Sequence, residues 1–268
     1  MLKIKLLLIC LFSCIGVYAQ KIKQFKTVKD DTLYVSYINP FKAPIEIKMS
    51  IKDSMKGKIK AKSYGLMYPN DTIFNVMCIP MKIVKDTAKI EGKKYINFSG
   101  QYGDPKSKPN LKYRYTLPWT KGKKYKIIQG FNGRFSHSAK HSKYAYDFST
   151  QIGDTIVAAR NGVVIFTKDD SKERGGREAM SKANKIIVYH DDGTFGHYVH
   201  LDYKGVLIKV GDSIKAQQAI GISGFTGFTT TPHLHFVVMK YGSEAIPIYF
   251  IDYPKKPLRQ GKYYRRKL

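Results

Sequence analysis

Pro232-His233-Leu234-His235-Phe236-Val237-Val238-Met239 is an apolar run opened by two histidines, and it predicts a buried β-strand. In an extended strand, residues two apart share a face and lie about 6–7 Å apart, so His233 and His235 project the same way. Two imidazoles on one strand face favour a metal site or an acid/base site. A lone His-x-His pattern also fits two partly exposed strand histidines, so other segments must decide between these interpretations.

Further segments with chemistry-bearing residues precede this strand, and all seven histidines of the chain lie at or beyond residue 137. These segments are residues 133–137, 144–148, 153–164, 191–201 and 221–227. The first ends in His137, the second places Asp147 in an aromatic strand, and a later one is a turn and strand that lead to His200. The last is a glycine-rich loop ahead of the two strand histidines.

In this order and spacing, the segments resemble the lysostaphin-type zinc metallopeptidases, the murein endopeptidases of bacterial cell walls. The catalytic domain of that family carries an early His and Asp, a Tyr-x-His-Leu segment and a final His-x-His. The resemblance covers residues 119–245, about half of the chain, and several separated motifs agree. It implies a duplicated hybrid motif fold, in which a twisted antiparallel β-sheet carries a metal groove on one face.

The resemblance implies that His137, Asp147 and His235 coordinate one Zn²⁺ per chain, and that His200 and His233 are catalytic. Three protein ligands suit a catalytic zinc, because they leave its fourth position open for water. Zinc drives such a water towards hydroxide and polarises the scissile carbonyl, so an amide is attacked without a covalent intermediate. Two unligated histidines can take the proton, return it to the leaving amine and stabilise the oxyanion.

The first zinc ligand has an alternative. The simplest members of the family place the first His a short distance before the Asp ligand, whereas nine residues separate His137 from Asp147 and His141 lies nearer. We favour His137, because Gly-x-Phe-Ser-His resembles family members with longer spacing, and we keep His141 as the alternative. The other two histidines, His190 and His197, are expected at the surface or behind the site, facing away from it.

The chain is predicted to be mainly β throughout, in two regions. Residues 20–117 contain strands with period-two alternation, as in Ile45–Ile51, and predict a β-sandwich-like accessory domain. Residues 118–252 form the predicted peptidase domain. Within it, residues 171–183 are predicted to be a flexible surface insertion. Residues 253–268 hold many Lys and Arg and no acid, which predicts a disordered basic tail.

Residues 1–19 have a basic start, an apolar stretch and a small-x-small cleavage pattern, which predicts a secretory signal peptide. The mature chain would begin near Gln20 and be periplasmic or extracellular, with no transmembrane segment. It would keep only Cys78, which excludes an internal disulfide. A lipid anchor at Cys14 is disfavoured, because the bulky Phe12 stands where such motifs prefer small residues.

The chain is strongly basic, with 47 Lys and Arg against 20 Asp and Glu and a formal net charge of +27. Its 43% hydrophobic residues exclude global disorder. The charge indicates attraction to anionic envelope polymers, in part through the basic tail, although a lysine-rich genome explains it equally well. No helix-turn-helix, zinc-finger spacing or RNA-binding signature is present, so no specific nucleic-acid partner is expected.

Three functions remain compatible with these observations. The leading one is a secreted zinc metalloendopeptidase that hydrolyses peptide bonds in peptidoglycan stem peptides or cross-links. The alternative is a non-catalytic member of the same fold that binds the cell wall or regulates another hydrolase. The five intact site residues disfavour it, since degenerate members lose some of them. A basic polymer-binding protein with incidental histidines is the third.

Overall fold

The computed structural model describes residues 22–84, 86–87 and 90–268. The predicted signal peptide at residues 1–19, including Cys14, lies outside these residues. Within the described ranges the chain consists mainly of β-strands, and its helices are all short 3₁₀ turns. None of these helices is long and apolar enough to cross a membrane. The prediction of a mainly β chain is confirmed.

The chain divides into two compact units, with the boundary between Asp104 and Pro105. This division precedes the predicted boundary at residue 117, so the residues between them belong to the second unit. The physical reason is burial, because Tyr115 and Leu117 lie in the hydrophobic core of the second unit.

The first unit is built from two antiparallel sheets around one hydrophobic core. Its described strands are β1 (Lys23–Lys29), β2 (Thr32–Ile38), β3 (Ile45–Ile51), β4 (Lys60–Ala61), β5 (Tyr64–Met67), β6 (Thr72–Pro80) and β7 (Ile96–Tyr102). One sheet has the order β1-β2-β6-β4, and the other has the order β5-β3-β7. Short 3₁₀ turns lie at Asp53–Met55, Met81–Ile83 and Gly92–Lys94. In β3, Ile45, Ile47 and Met49 are buried, as the alternation predicts.

The second unit is organised around one large sheet. Its strands are β8 (Arg114–Tyr115), β9 (Lys124–Gln129), β10 (Tyr146–Phe148), β11 (Thr155–Val157), β12 (Gly162–Lys168), β13 (Arg174–Gly175), β14 (Asn184–Tyr189), β15 (Phe195–Val206), β16 (Ser213–Ile214), β17 (Ala219–Ser223), β18 (Gly227–Phe228), β19 (Leu234–Lys240), β20 (Glu244–Ala245), β21 (Tyr249–Phe250) and β22 (Tyr263–Arg265). A 3₁₀ turn spans Arg177–Lys182. The main sheet has the order β16-β12-β14-β15-β19-β10-β9-β22, and its strands pair antiparallel.

The strands at the centre of this sheet turn one face toward an aromatic core. Tyr146 and Phe148 in β10, and Phe236 in β19, are fully buried in it. Burial of each such side chain stabilises the fold by about 1.5–3 kcal/mol. Because side chains alternate along a strand, Asp147 and His235 face the opposite side of the sheet. The core therefore fixes which residues the sheet presents on its other face.

Residues 171–183 differ from the flexible insertion that was predicted. Within them, β13 pairs in parallel with β18, and the following 3₁₀ turn buries Ala179. The backbone N–H of Gly227 in β18 donates to the carbonyl of Glu173 over 2.8 Å. A Cβ at Gly227 would lie 2.4 Å from that of Ala183, so small residues permit this close packing. The pair of glycines and the mixed charges in the segment gave no sign of these long-range contacts.

Residues 253–268 are not a disordered tail. They contribute β22, which pairs with β9 at the edge of the main sheet. Leu258 is buried in the aromatic core, and the guanidinium of Arg266 is buried and donates to the carbonyl of Trp119. The prediction of disorder is wrong because it weighed the cations alone, whereas apolar and aromatic residues between them dock onto the sheet.

Candidate metal centre

Three side chains converge on the face of the sheet opposite the aromatic core. His137, Asp147 and His235 each offer a ligand atom, and these atoms lie within 4.8 Å of one another. Nδ1 of His235 lies 2.8 Å from Oδ1 of Asp147, and Nε2 of His137 lies 3.2 Å from Oδ2 of Asp147. The set contains two imidazoles and a carboxylate, the donor types that zinc takes in catalytic sites.

Strand register brings two of the three together. Asp147 in β10 lies directly opposite His235 in β19, and directly opposite residues on one sheet face approach within about 5 Å. His137 comes from the turn after β9, where its backbone N–H donates to the carbonyl of Gly133 over 3.0 Å. A paired strand and a tight turn thus position the ligands.

The state of His137 fits a metal ligand. Its Nδ1 lies 2.9 Å from the carbonyl of Gly130, which accepts a hydrogen bond from Nδ1–H. In the neutral ring Nε2 carries the lone pair; it is buried, faces Oδ2 of Asp147 over 3.2 Å and has no hydrogen-bond partner among the described residues. Buried polar atoms without partners are rare, and metal-bound histidines usually donate their other N–H to a carbonyl or carboxylate. A cation between Nε2 and the carboxylate of Asp147 would satisfy both groups.

Electrostatics holds the carboxylate in its charged form. Burial raises the pKa of Asp147, but the contacts with His137 and His235 outweigh it and hold this pKa well below its ordinary value. Burial lowers the pKa of His137, and the neighbouring carboxylate more than offsets this, so the pKa is raised. The anion is thus stabilised in part by the groups that would also bind the metal.

His200 and His233 lie beside these three residues. Their ring centroids are 4.6 Å apart, and Nε2 of His233 lies 3.6 Å from Oδ1 of Asp147. The carbonyl of Thr226 accepts a hydrogen bond from Nδ1–H of His200 over 2.7 Å, and the carbonyl of Thr231 does so for His233 over 2.8 Å. Both rings are therefore oriented with Nε2 free for chemistry.

Burial favours the neutral form of both of these histidines. Burial and the neighbouring histidines lower the pKa of His200 to about 3. Burial also lowers the pKa of His233, against the attraction of Asp147. A neutral imidazole can accept a proton at Nε2, which is what a general base requires.

A bulge brings His200 onto the face of the site. In the pairing of β15 with β14, Leu201 lies opposite Asn184 and Val199 opposite Lys185, so His200 is the extra residue. Its φ of 68° lies in the left-handed region. A bulge of this kind breaks the alternation of side chains and redirects one of them.

The bulge also overturns one expectation about the remaining histidines. His197 lies opposite Val237 in β19, two residues from His235, so His197 shares the face of the site instead of pointing away. His190 is buried, and its Nδ1 lies 2.7 Å from the carbonyl of Asn161. His197 was expected to face away because, in an unbroken strand, a residue three positions from His200 lies on the opposite face of the sheet.

The structure brings together His137, Asp147, His200, His233 and His235. His141 is exposed on a turn and does not belong to the ligand group. The long spacing between the first ligand and Asp147 is taken up by the turn that follows β9.

Residues 141–247 match the model of peptidase family M23. They contain Asp147, His200, His233 and His235, and they begin after His137. Lipoprotein NlpD from Yersinia enterocolitica is 30% identical over 105 residues, which are 39% of this chain and 97% of that protein. The chain belongs to peptidase family M23. The resemblance to lysostaphin-type metallopeptidases is confirmed at the level of the family.

Other relatives of this M23 chain carry the names of peptidases. Peptidoglycan DD-endopeptidase ShyA from Vibrio cholerae is 29% identical over 153 residues, 55% of this chain and 32% of ShyA. The solved catalytic domain of the antimicrobial peptidase lysostaphin from Staphylococcus simulans shares 28% identity, covers 47% of this chain and 88% of that one, and has a TM-score of 0.35. The chain spans about a third of the length of ShyA, and less of several other curated relatives.

One residue beside the site that sequence reasoning missed is Gln129, which precedes the residues that match the M23 family. It is buried at the end of β9, and its Nε2 donates to Oδ2 of Asp147 over 3.0 Å. Tyr125, Ile127 and Gln129 are the buried positions of an alternating strand. A glutamine in the third position of such a series was the available signal, because buried amides need specific partners.

His190 predicts a pH dependence for the stability of the M23 domain. Burial lowers its pKa to about 4, whereas the unfolded chain has the ordinary value near 6.5. His190 therefore binds a proton less readily in the folded chain than in the unfolded chain. Its contribution to the free energy of unfolding is complete above pH 6.5 and is lost as the pH falls toward 4. We expect His190→Asn to flatten this fall by up to about 3 kcal/mol.

The measurement is the free energy of unfolding of chelator-treated protein in denaturant, taken from pH 7 to pH 4. The exposed His141 supplies the matched control, because His141→Asn should leave the curve unchanged. A His190→Asn variant with the same pH dependence as the parent protein would show that His190 is not buried in its neutral form.

Proposed function

We propose that this chain is an exported zinc metalloendopeptidase that hydrolyses peptide bonds in the stem peptides or cross-links of peptidoglycan. The observation that carries the proposal is the convergence of the ligand atoms of His137, Asp147 and His235 beside two neutral histidines. The name of ShyA, a peptidoglycan DD-endopeptidase, supports the substrate class. A non-catalytic wall-binding member of the fold would have no need for this complete set.

Zinc held by the three ligands would supply Lewis acidity, which activates a water and polarises the scissile carbonyl. Nε2 of His233 or His200 would accept a proton from the attacking water, since burial favours the neutral form of both rings and backbone carbonyls hold their Nδ1–H groups. The protonated ring then donates to the leaving amine. The other imidazole could donate to the oxyanion from Nε2 only in its protonated form, whose charge would offset the negative charge that develops on the carbonyl oxygen.

Digestion of purified peptidoglycan tests the proposal. We expect the protein to release soluble peptides from at least one of several wall types, and a chelator to abolish the release. Mass analysis of the products identifies the bond, because hydrolysis of an amide adds one water and exposes a new amino group. Protein with one zinc per chain that binds the wall but releases nothing would favour the non-catalytic alternative.

Export is part of the proposal. We expect removal of residues 1–19, so protein recovered from the envelope of an expressing bacterium should begin near Gln20. N-terminal sequencing checks this, and a matched chain with charged residues in its apolar stretch should stay uncleaved. A lipid-modified terminus at Cys14 or an uncleaved chain in the cytoplasm would contradict the expectation.

A further inference from the structure

We propose that Gln129 is a positioning residue of the metal centre, whose amide holds the Asp147 carboxylate and the turn carrying His137 in one geometry. This inference rests on the proposed function, because it assigns a task to a side chain beside the proposed zinc ligands. Gln129 is 5% exposed and hydrogen-bonds to the Asp147 carboxylate. Its effect must therefore pass through the ligands.

Both donor positions of the amide are used. Nε2 of Gln129 donates to Oδ2 of Asp147 over 3.0 Å and to Oγ of Ser136 over 2.7 Å. The same Oδ2 lies 3.2 Å from Nε2 of His137. Gln129 thus binds the carboxylate oxygen that faces the first ligand, while Oδ1 faces His235.

Both acceptor positions are used as well. Oε1 of Gln129 accepts hydrogen bonds from the backbone N–H groups of Phe135 and Ser136, over 3.0 and 3.1 Å. An inverted amide would place its oxygen against the Asp147 carboxylate and its NH₂ against two N–H groups. Since a primary amide has two donor hydrogens and one acceptor oxygen, only the observed orientation satisfies all four contacts.

A glycine makes room for this amide. A Cβ added at Gly133 would lie 2.1 Å from Cγ and 2.6 Å from Cδ of Gln129, distances at which one of the two must move. The carbonyl of Gly133 also accepts the backbone N–H of His137. The turn therefore wraps around the Gln129 side chain, and the two positions depend on each other.

These contacts link the carboxylate to the turn. Asp147 lies in a paired strand, whereas His137 lies in a turn that no strand pairing holds. Gln129 is bonded to both, so it sets the distance between the two ligands. Hydrogen-bond partners of metal ligands typically change metal affinity by about 10–100-fold when they are removed.

Zinc affinity tests the inference. Chelator-stripped protein is titrated with zinc against a competing chelator, and the free energy of unfolding of the metal-free form is measured in parallel. We expect the Kd for zinc to rise about 10–100-fold in Gln129→Met, which keeps the length of the side chain and removes its hydrogen bonds. Gly133→Ala should also raise the Kd for zinc, because its added Cβ would push the Gln129 amide out of position while the glutamine itself is kept.

The matched control is Gln218→Met. Gln218 is exposed and its Oε1 accepts a backbone N–H within a turn, so it resembles Gln129 in kind but has no contact with the ligands. Its zinc Kd should equal that of the parent protein. If Gln129→Met fails to fold cooperatively, the zinc Kd and the free energy of unfolding of Gly133→Ala test the inference in its place.

A folded Gln129→Met variant with a zinc Kd within threefold of the parent protein would overturn the inference, because a purely structural glutamine changes stability without changing affinity. That result would leave the proposed function intact if the parent protein binds zinc and cleaves peptidoglycan. A parent protein that binds no zinc would instead remove the proposed function, whatever the variants do.

Discussion

Replacing His137 with alanine is expected to abolish stoichiometric zinc binding and to lower kcat/KM on peptidoglycan by more than about 100-fold. His137 offers a buried Nε2 that lies 3.2 Å from Oδ2 of Asp147 and has no hydrogen-bond partner in the part of the chain that the structure describes. The variant lacks one of three metal ligands. The resulting loss of zinc affinity should exceed the about 10–100-fold loss that is typical when the hydrogen-bond partner of a ligand is removed. Metal content per chain and peptide release are the two readouts.

His141 provides the control for this variant. It lies in the same segment and was the alternative ligand on spacing, but it is exposed and outside the ligand group. His141→Ala should therefore keep one zinc and full activity. Retention of stoichiometric zinc by a folded His137→Ala protein, or its loss from His141→Ala, would reverse the assignment.

The second large effect concerns His200 and His233. Alanine at either position should leave zinc in place and lower kcat by about 10²–10⁴-fold, the usual contribution of a positioned acid or base. The decisive comparison is between metal content and rate. His233 is the sharper case, because its Nε2 lies only 3.6 Å from Oδ1 of Asp147 and could reach the metal.

A His233→Ala protein that loses its zinc would make His233 a ligand instead of a catalytic residue. A variant of either histidine that keeps both zinc and full activity would exclude it from the reaction. The rate of His141→Ala, measured on the same substrate, gives the background for histidine loss outside the site.

The sequence was informative where regular strands carry the site. Period-two alternation predicts that His233 and His235 share a face, and in β10 the buried Tyr146 and Phe148 leave Asp147 on the opposite side of the sheet from the core. The direct pairing of Asp147 with His235 follows from strand register, which one sequence does not contain.

Irregular backbone and long-range contacts limited the prediction. The bulge at His200 reverses the expected face of His197, and bulges depend on pairing with a neighbouring strand. Gln129 gains its importance only when the turn from Gly133 folds over it. Residues 253–268 were wrongly predicted to be disordered for the same reason, because Leu258 is buried in the hydrophobic core only once the sheet has formed.

The most direct test of the account is the reloading of chelator-stripped protein with zinc on a peptidoglycan that the parent protein cleaves. New amino groups on released peptides should be absent without metal, increase with added zinc and stop increasing at one equivalent per chain. An Asp147→Asn protein should stay inactive at the same zinc concentration, whereas Asp170→Asn, at an exposed carboxylate, should follow the parent protein. Cleavage that persists in the metal-free protein, or fully loaded protein that releases no peptide from any wall type, would contradict the account.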